Sequence, residues 1–156
     1  MDLASALQGD GQLDAAEETA SHAIDLLPEK GEEYQVCQGH RVLGRVYCVR
    51  GELEKAIHQF EVALGIASSF NIVDQLFWAH FGLADLFSEE GRFDDAHTHL
   101  ERAKRYGFDD PYRLARVSEL WAEFGVRQHM FEEAKSEALR ALDIFEELGA
   151  VNAAAP

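Results

Sequence analysis

The chain has 156 residues, of which 29 are Asp or Glu and 14 are Lys or Arg, so its formal charge at pH 7 is −15. Hydrophobic residues make up 47% of the chain, which favours a folded domain over disorder. The excess of negative charge argues against nucleic acid or an anionic membrane surface as a partner, because the protein's own electrostatic field would repel phosphate groups.

A six-residue pattern recurs along the chain: glycine, any residue, Leu or Phe, an acid, any residue, alanine. Copies begin at Gly11, Gly51 and Gly91, 40 residues apart, and a degenerate fourth copy begins at His129 after 38 more. The pattern predicts four helical hairpins. The glycine ends one helix in a left-handed conformation, and the acid begins the next helix near its positive end. The alanine is expected where two helices approach too closely for a larger side chain.

Apolar residues at helical spacing place eight helices in chain order. Their expected ranges are 1–8, 12–27, 32–50, 53–68, 72–89, 93–106, 111–127 and 131–148. Asn71 is expected to cap the fifth helix, and Asp109 or Asp110 the seventh, with Pro111 in its first turn. One array over 1–150 is predicted, with repeats at about 1–30, 31–70, 71–108 and 109–149 and a flexible tail at 151–156.

Two features that the sequence lacks indicate where in the cell the protein is expected. No apolar run approaches the roughly 20 residues that span a bilayer, and the N-terminus lacks the pattern of a signal peptide. Cys37 and Cys48 lie 11 residues apart on one predicted helix, which separates them by roughly 16 Å, too far for a disulfide. Two buried or half-buried thiols and a cytoplasmic location are therefore expected.

Small and large residues alternate at helix-packing positions in two of the repeats. In the second repeat they are Leu43, Gly44, Tyr47, Gly51, Leu53, Ala56, Phe60 and Ala63, and in the third they are Leu83, Ala84, Phe87, Gly91, Phe93, Ala96, Leu100 and Ala103. This pattern resembles that of the tetratricopeptide repeat family, and the second repeat matches it best. The resemblance implies an all-α fold, a right-handed superhelical solenoid of antiparallel helix hairpins with about four repeats and eight helices.

The 40-residue period exceeds the family's usual 34 residues. It is similar to the extended variant of Pins/LGN-type polarity adaptors, kinesin light chains and bacterial peptide-sensing regulators. The sequence around Cys37 to Tyr47 and from Gln75 to Lys104 also resembles the arrays that follow the NTPase domain of NB-ARC (STAND, NLR-like) proteins, notably fungal ones. The chain itself has no GxxxxGK[ST] phosphate loop.

The resemblance implies a concave groove lined by the first helix of each hairpin. The family's groove positions correspond here to Gln38, Arg41, Arg45 and Cys48, to Trp78, Phe81 and Asp85, and to Arg116, Glu119, Glu123 and Arg127. Family members that clamp the acidic C-terminus of chaperones carry a lysine and an asparagine where this chain has Arg41 and Arg45. The resemblance therefore argues against that particular clamp and leaves a different peptide as the expected ligand.

Two features of these positions are open to alternative interpretations. The helix around Trp78 is apolar almost all round, so Trp78 and Phe81 are either anchors for a partner or covered by neighbouring helices. Arginines concentrate on the first helices, where they either attract a partner's carboxylates or pair with nearby acids. The arginines concerned are Arg41, Arg45, Arg50, Arg113, Arg116 and Arg127.

No catalytic or metal-binding motif is present. His97 and His99 lie two apart on a helix and diverge by about 200°, so they cannot chelate one ion. His40 and His80 occupy equivalent places in successive repeats, where they are expected to pack inside the hairpins. Pairs of acids near helix ends suit solvated faces better than acid–base catalysis. Neither enzymatic activity nor a cofactor is predicted.

The last helix carries an apolar stripe with no following helix to cover it, so Ala138, Leu142 and Phe145 are predicted to form a self-association face. Such an end is also typical of a piece of a longer array. The sequence as a whole predicts a protein–protein interaction scaffold that binds a peptide or partner helix in the groove, as part of a signalling or adaptor protein. The alternative is a regulatory sensor of a small molecule or signal peptide.

Overall fold

A computed structural model describes residues 10–25 and 32–153 of the protein, and in these ranges it contains helices and no strand. The helices are α1 (Asp10–Asp25), α2 (Glu33–Val49), α3 (Leu53–Ser69), α4 (Val73–Glu89), α5 (Phe93–Tyr106), α6 (Pro111–Arg127) and α7 (Phe131–Ala153). The predicted all-α class is confirmed.

The observed helix bounds agree with the expected ones to within two residues, except at the C-terminal end of α7. This helix continues to Ala153, so residues 151–153 of the expected tail are helical. The predicted helix at 1–8, residues 26–27 and the tail residues 154–156 lie outside the described residues. The repeat boundaries stay predictions.

The chain forms two compact units, Met1–Leu83 and Ala84–Pro156. The boundary falls within α4, which therefore contributes residues to both. In the first unit α2 packs against α1 and α3, and in the second unit α6 packs against α5 and α7. The contacts α2–α3 and α6–α7 are those of two predicted hairpins, whereas α1–α2 and α5–α6 are contacts between helices of neighbouring repeats.

Four of the helices end in the same backbone motif, in which a residue with positive φ follows the helix. The residues are Gly51 (φ 73°), Asn71 (φ 54°), Gly91 (φ 72°) and His129 (φ 61°). After α2, the N–H of Glu52 donates to the carbonyl of Tyr47 at 2.9 Å and that of Gly51 to Cys48 at 3.0 Å, the bonds of a Schellman motif. The left-handed helix end that the repeated glycine predicted is confirmed at Gly51 and Gly91, and His129 takes the same conformation although it has a side chain. At Gly11 the prediction is wrong, because this glycine lies within α1, which begins at Asp10.

The expectation that Asn71 caps the start of α4 is wrong. Asn71 instead ends α3, where its N–H donates to the carbonyl of Ser68 at 3.4 Å, and α4 begins two residues later at Val73. Asparagine tolerates a positive φ better than most residues do, which explains its presence there. The expected cap of α6 is confirmed at Asp110, whose carboxylate accepts from the N–H of Arg113 at 3.2 Å, with Pro111 next in sequence.

The alanine of the repeated pattern lies where helices meet. Ala56 and Ala96 are fully buried, and Ala134 is nearly so. A Cβ atom on Gly125 of α6 would lie only 3.0 Å from the Cβ of Ala134 of α7, so the two helices are close at this point. The prediction that this alanine marks a close approach of two helices is confirmed in the second unit.

Candidate functional site

Residues of α2 and α4 in the first unit form the main candidate surface. Gln38, Arg41 and Arg45 recur at intervals of three and four residues and therefore share one face of α2. Gln38 is exposed, while Arg41 and Arg45 are half-buried. On α4, Trp78 and Phe81 are half-buried. We call these five residues the α2–α4 surface.

The opposite side of α4 faces the protein interior. Phe77, His80, Leu83, Ala84 and Phe87, which were predicted to pack inside the hairpin, are all buried. The ring centroid of Phe77 lies 4.8 Å from that of Trp78 and 6.0 Å from that of Phe81. The rings of Trp78 and Phe81 meet edge to face at 5.8 Å. A buried phenylalanine thus supports the two half-exposed rings and restricts their motion.

Arg41 joins the two helices of this surface. Its Nε donates to Oε1 of Gln75 at 3.3 Å, and its Cζ lies 5.8 Å from the centroid of the Trp78 ring. Burial lowers the pKa of Arg41, and the neighbouring positive charge of Arg45 lowers it further. The guanidinium is still charged at any physiological pH, so this surface contains a partly desolvated cation.

Sequence reasoning missed Gln75, which holds Arg41 in place. Gln75 is only 1% exposed, and its Nε2 donates to Oδ2 of Asp74 at 3.4 Å. The hydroxyl of Tyr34 donates to the same oxygen at 2.9 Å, and this bond raises the pKa of Tyr34. The available signal was an amide next to Asp74 at the start of a largely apolar helix, because buried polar groups need a hydrogen-bond partner.

The second unit contains the remaining predicted groove residues. Arg116 donates from Nη1 to Oε2 of Glu119 at 2.6 Å. Nη1 of Arg127 donates to Oγ of Ser88 at 2.9 Å, and its Nη2 lies 4.0 Å from Oε1 of Glu89. Asp85 is half-buried and Glu123 is exposed. For Arg116 and Arg127, the structure favours pairing with nearby acids.

Arg113 and Arg50 also pair with acids. Nε of Arg113 lies 3.3 Å from Oδ2 of Asp110. Arg50 contacts Oδ1 of Asp14 at 2.6 Å and Oε2 of Glu17 at 2.5 Å. The hydrogen bond from Arg50 lowers the pKa of Glu17. These two arginines therefore connect neighbouring parts of their own unit.

The predicted self-association face on α7 is only partly exposed. Leu142 is 51% exposed and Ala138 is exposed, whereas Phe145 is half-buried with its ring 6.1 Å from that of Tyr112. Leu139, which sequence reasoning did not include, is 51% exposed. Between residues 132 and 149 of α7, the exposed large apolar side chains are therefore those of Leu139 and Leu142.

The histidines and cysteines contact other parts of the protein. His97 lies 5.2 Å from the ring of Trp121 and His99 5.5 Å from the ring of Phe87, so the two imidazoles diverge as predicted. Among the described residues, no group of His, Cys, Asp and Glu is placed to hold a metal ion. Neither Cys37 nor Cys48 forms a disulfide, and burial raises the pKa of Cys37 to about 11, which leaves its thiol protonated and unreactive.

The two thiols lie on α2 as expected, with Cys37 buried and Cys48 half-buried. His80 is buried, and Nδ1 of His40 lies 2.7 Å from Oε1 of Gln59 on the partner helix of its hairpin. Their expected place inside the hairpins is confirmed. In the described parts of the chain, no helix combines the length and the apolar character needed to cross a bilayer.

Consecutive helices that pack as hairpins, joined by a recurring turn and close alanine contacts, define a helical-repeat protein. Residues 36–105 match the family model described as tetratricopeptide repeat. Over these 70 of its 156 residues the chain is similar to tetratricopeptide repeat proteins, and the helical hairpins are of the kind that such repeats form. Repeats of this family generally mediate protein–protein interactions, and the fold is typically a non-enzymatic scaffold. No curated protein matched the chain at a significant level.

Proposed function

We propose that the protein is an interaction scaffold that binds a peptide or partner helix on the α2–α4 surface. The observation that carries the proposal is the arrangement of Arg41, Trp78 and Phe81. Two aromatic rings, supported from beneath by Phe77, lie beside a guanidinium that is 5.8 Å from the nearer ring. Tryptophan and arginine are the residue types that most often dominate binding at protein interfaces.

A peptide ligand needs an extended surface with a few anchoring side chains, and Arg41, Trp78 and Phe81 on α2 and α4 provide such a surface. The regulatory sensor of a small molecule or signal peptide stays the alternative prediction.

The groove residues predicted in the second unit, namely Asp85, Arg116, Glu119, Glu123 and Arg127, are proposed as a separate set of partner contacts. Arg116 and Arg127 are engaged by Glu119, Ser88 and Glu89, so a partner would compete with these side chains. Their contribution to affinity is therefore expected to be smaller than that of Trp78. The cytoplasmic location and the relation to the arrays of NB-ARC proteins stay predictions.

The proposal can be tested with a library of random 12-residue peptide segments, each displayed between two fixed linkers. The library is selected for binding to the immobilised protein. We expect enriched segments whose affinity falls about tenfold or more in Trp78→Ala, since loss of an aromatic anchor has an effect of this size. Trp121→Ala, a matched change in the second unit, should leave the affinity unaltered. Circular dichroism confirms that the helices are intact. No enrichment over a protein-free surface, or equal affinity for both variants, would overturn the proposal.

A further inference from the structure

The guanidinium of Arg41 has one of its three nitrogens in a hydrogen bond. Nε donates to Gln75, whereas Nη1 and Nη2 have no acceptor within residues 10–25 and 32–153. No carboxylate of these ranges lies within ion-pair distance of Arg41, although Asp74 is close enough to act on its charge. Arg50, Arg113, Arg116 and Arg127, by comparison, each contact a carboxylate.

The surroundings of Arg41 make a further anion favourable. Its side chain is half-buried and lies near a second cation, Arg45, and both effects lower the pKa of the guanidinium. An anion brought by a partner would offset the lost hydration and the repulsion between the two arginines. The planar fork of Nη1 and Nη2 matches the two oxygens of a carboxylate.

Gln75 fixes the orientation of this fork. Its side chain is buried, and its own Nε2 is bonded to Asp74, so the amide oxygen that accepts from Nε cannot rotate away without losing that bond. The Trp78 ring restricts the guanidinium from another side. Arg41 is therefore held in one geometry before a ligand arrives, which reduces the entropy lost on binding.

The neighbouring side chains indicate where in a peptide the carboxylate lies. Tyr34, two helical turns before Arg41, is 44% exposed, and Trp78 and Phe81 lie beyond Arg41 on α4. Apolar contacts are thus available on both sides of the guanidinium, which suits a chain that continues past its acidic residue. The net charge of −15 disfavours a run of acids, because each further carboxylate would be repelled.

We infer that the partner presents a single internal Asp or Glu, flanked by apolar residues, whose carboxylate binds Nη1 and Nη2 of Arg41. Gln75 is the positioning residue for this contact. The inference rests on the proposed function and specifies the chemistry of its ligand. It predicts selectivity for one acidic side chain within an apolar segment, rather than for a chain terminus or an acidic tract.

The test uses the displayed 12-residue segments, which have no free carboxyl terminus. Segments enriched on the wild-type protein should share one acidic residue with apolar neighbours. The best segment, synthesised with blocked ends, should lose about tenfold in affinity when its acid is replaced by the amide, the size expected for a charge-assisted hydrogen bond. Arg41→Gln should lower the affinity for the acidic peptide to the same degree and leave the affinity for the amide peptide unchanged.

Gln75→Glu tests the positioning role with an almost isosteric change. The new carboxylate would pair with Arg41 inside the protein and compete with the partner, so the preference for acid over amide should disappear while binding through Trp78 persists. Arg105→Gln, which removes an exposed arginine of α5, is the matched control and should retain the preference.

Three results would overturn the inference while leaving the proposed function intact. First, the enriched segments could lack an acidic residue. Second, the ratio of the affinities of the acid and amide peptides could be the same for Arg41→Gln as for the wild-type protein. Third, a peptide with a free C-terminal carboxylate could bind better than one with an internal acid. Failure of the proposed function would look different, because no segment would be enriched at all.

Discussion

The ring of Phe60 lies directly against the backbone of Gly82, where a Cβ atom would come within 2.5 Å of Cε1 of the ring. On its other side the same ring approaches Gly44, whose Cβ would lie 3.0 Å from Cε2. Phe60 is fully buried. The side chain therefore fills the space between α2 and α4, and the two helices that carry the α2–α4 surface are held apart by one ring from α3.

Gly82→Ala is expected to destabilise the protein, because a methyl group forces the buried ring to move. Overpacking of this kind costs about 1–3 kcal/mol, measurable as a lower free energy of unfolding in urea. Gly65→Ala is the control, since Gly65 lies on α3 with open space around it and alanine favours a helix by roughly 0.5–1 kcal/mol.

The two alanine substitutions should thus act in opposite directions. Combining Gly82→Ala with Phe60→Leu should cost less than the sum of the two single changes, because the smaller side chain makes room for the methyl group. Additive effects would contradict the contact between Phe60 and Gly82.

His129→Gly is expected to stabilise the protein. His129 has a φ of 61°, a conformation that costs a residue with a side chain about 1 kcal/mol relative to glycine. The gain is reduced by the greater entropy of glycine in the unfolded chain, so a net increase of about 0.5 kcal/mol in the free energy of unfolding is expected.

Gly51→Ala, at a φ of 73° and with no neighbour to clash, should lower stability. A destabilising His129→Gly would show that the imidazole's contact with Phe131 outweighs the backbone strain.

The repeated pattern was sufficient to predict the helices and most of their ends. Glycine at positions 51 and 91 indicates a left-handed residue directly, since no other residue adopts it so readily. Asn71 was interpreted as a cap because asparagine suits both the start and the end of a helix, and its sequence neighbours do not distinguish the two. The backbone hydrogen bond from Ile72 to Ala67 at 2.8 Å decides between them.

The candidate site was less predictable than the fold. Helical spacing placed Arg41 and Arg45 on one face of α2, but which arginines have carboxylate partners depends on contacts between helices. Arg50 pairs with Glu17, 33 residues earlier in the chain, and no local pattern indicates such a contact. The hydrogen bond of Arg41 with Gln75 joins residues 34 apart and was missed for the same reason.

His99 is expected to make stability depend on pH. Burial lowers its pKa, and the nearby Arg102 lowers it further while Asp95 acts in the opposite direction. As the pH is lowered, this histidine takes up a proton near pH 6.5 in the unfolded chain but only at a lower pH in the folded protein. The free energy of unfolding should therefore fall as the pH decreases below about 6.5, until the pKa of the folded protein is passed.

His99→Phe should flatten that dependence, measured as the melting temperature between pH 7.5 and 5. The exposed His97→Gln on the same helix controls for the loss of an imidazole and leaves His99 in place. An identical slope in the wild type and His99→Phe would contradict the role of His99.

Self-association through α7 is expected to depend on Leu142 more than on Phe145. Leu142 and Leu139 are each 51% exposed, whereas the ring of Phe145 is already in contact with Tyr112. If two copies bury this face, Leu142→Glu should weaken association about tenfold or more, because it removes apolar burial and introduces a charge. Ser136→Glu adds the same charge at an exposed position of the same helix and separates this effect from general repulsion. Sedimentation equilibrium over a wide concentration range measures the change, and a wild-type protein that stays monomeric throughout would show that the exposed leucines do not pair with a second copy.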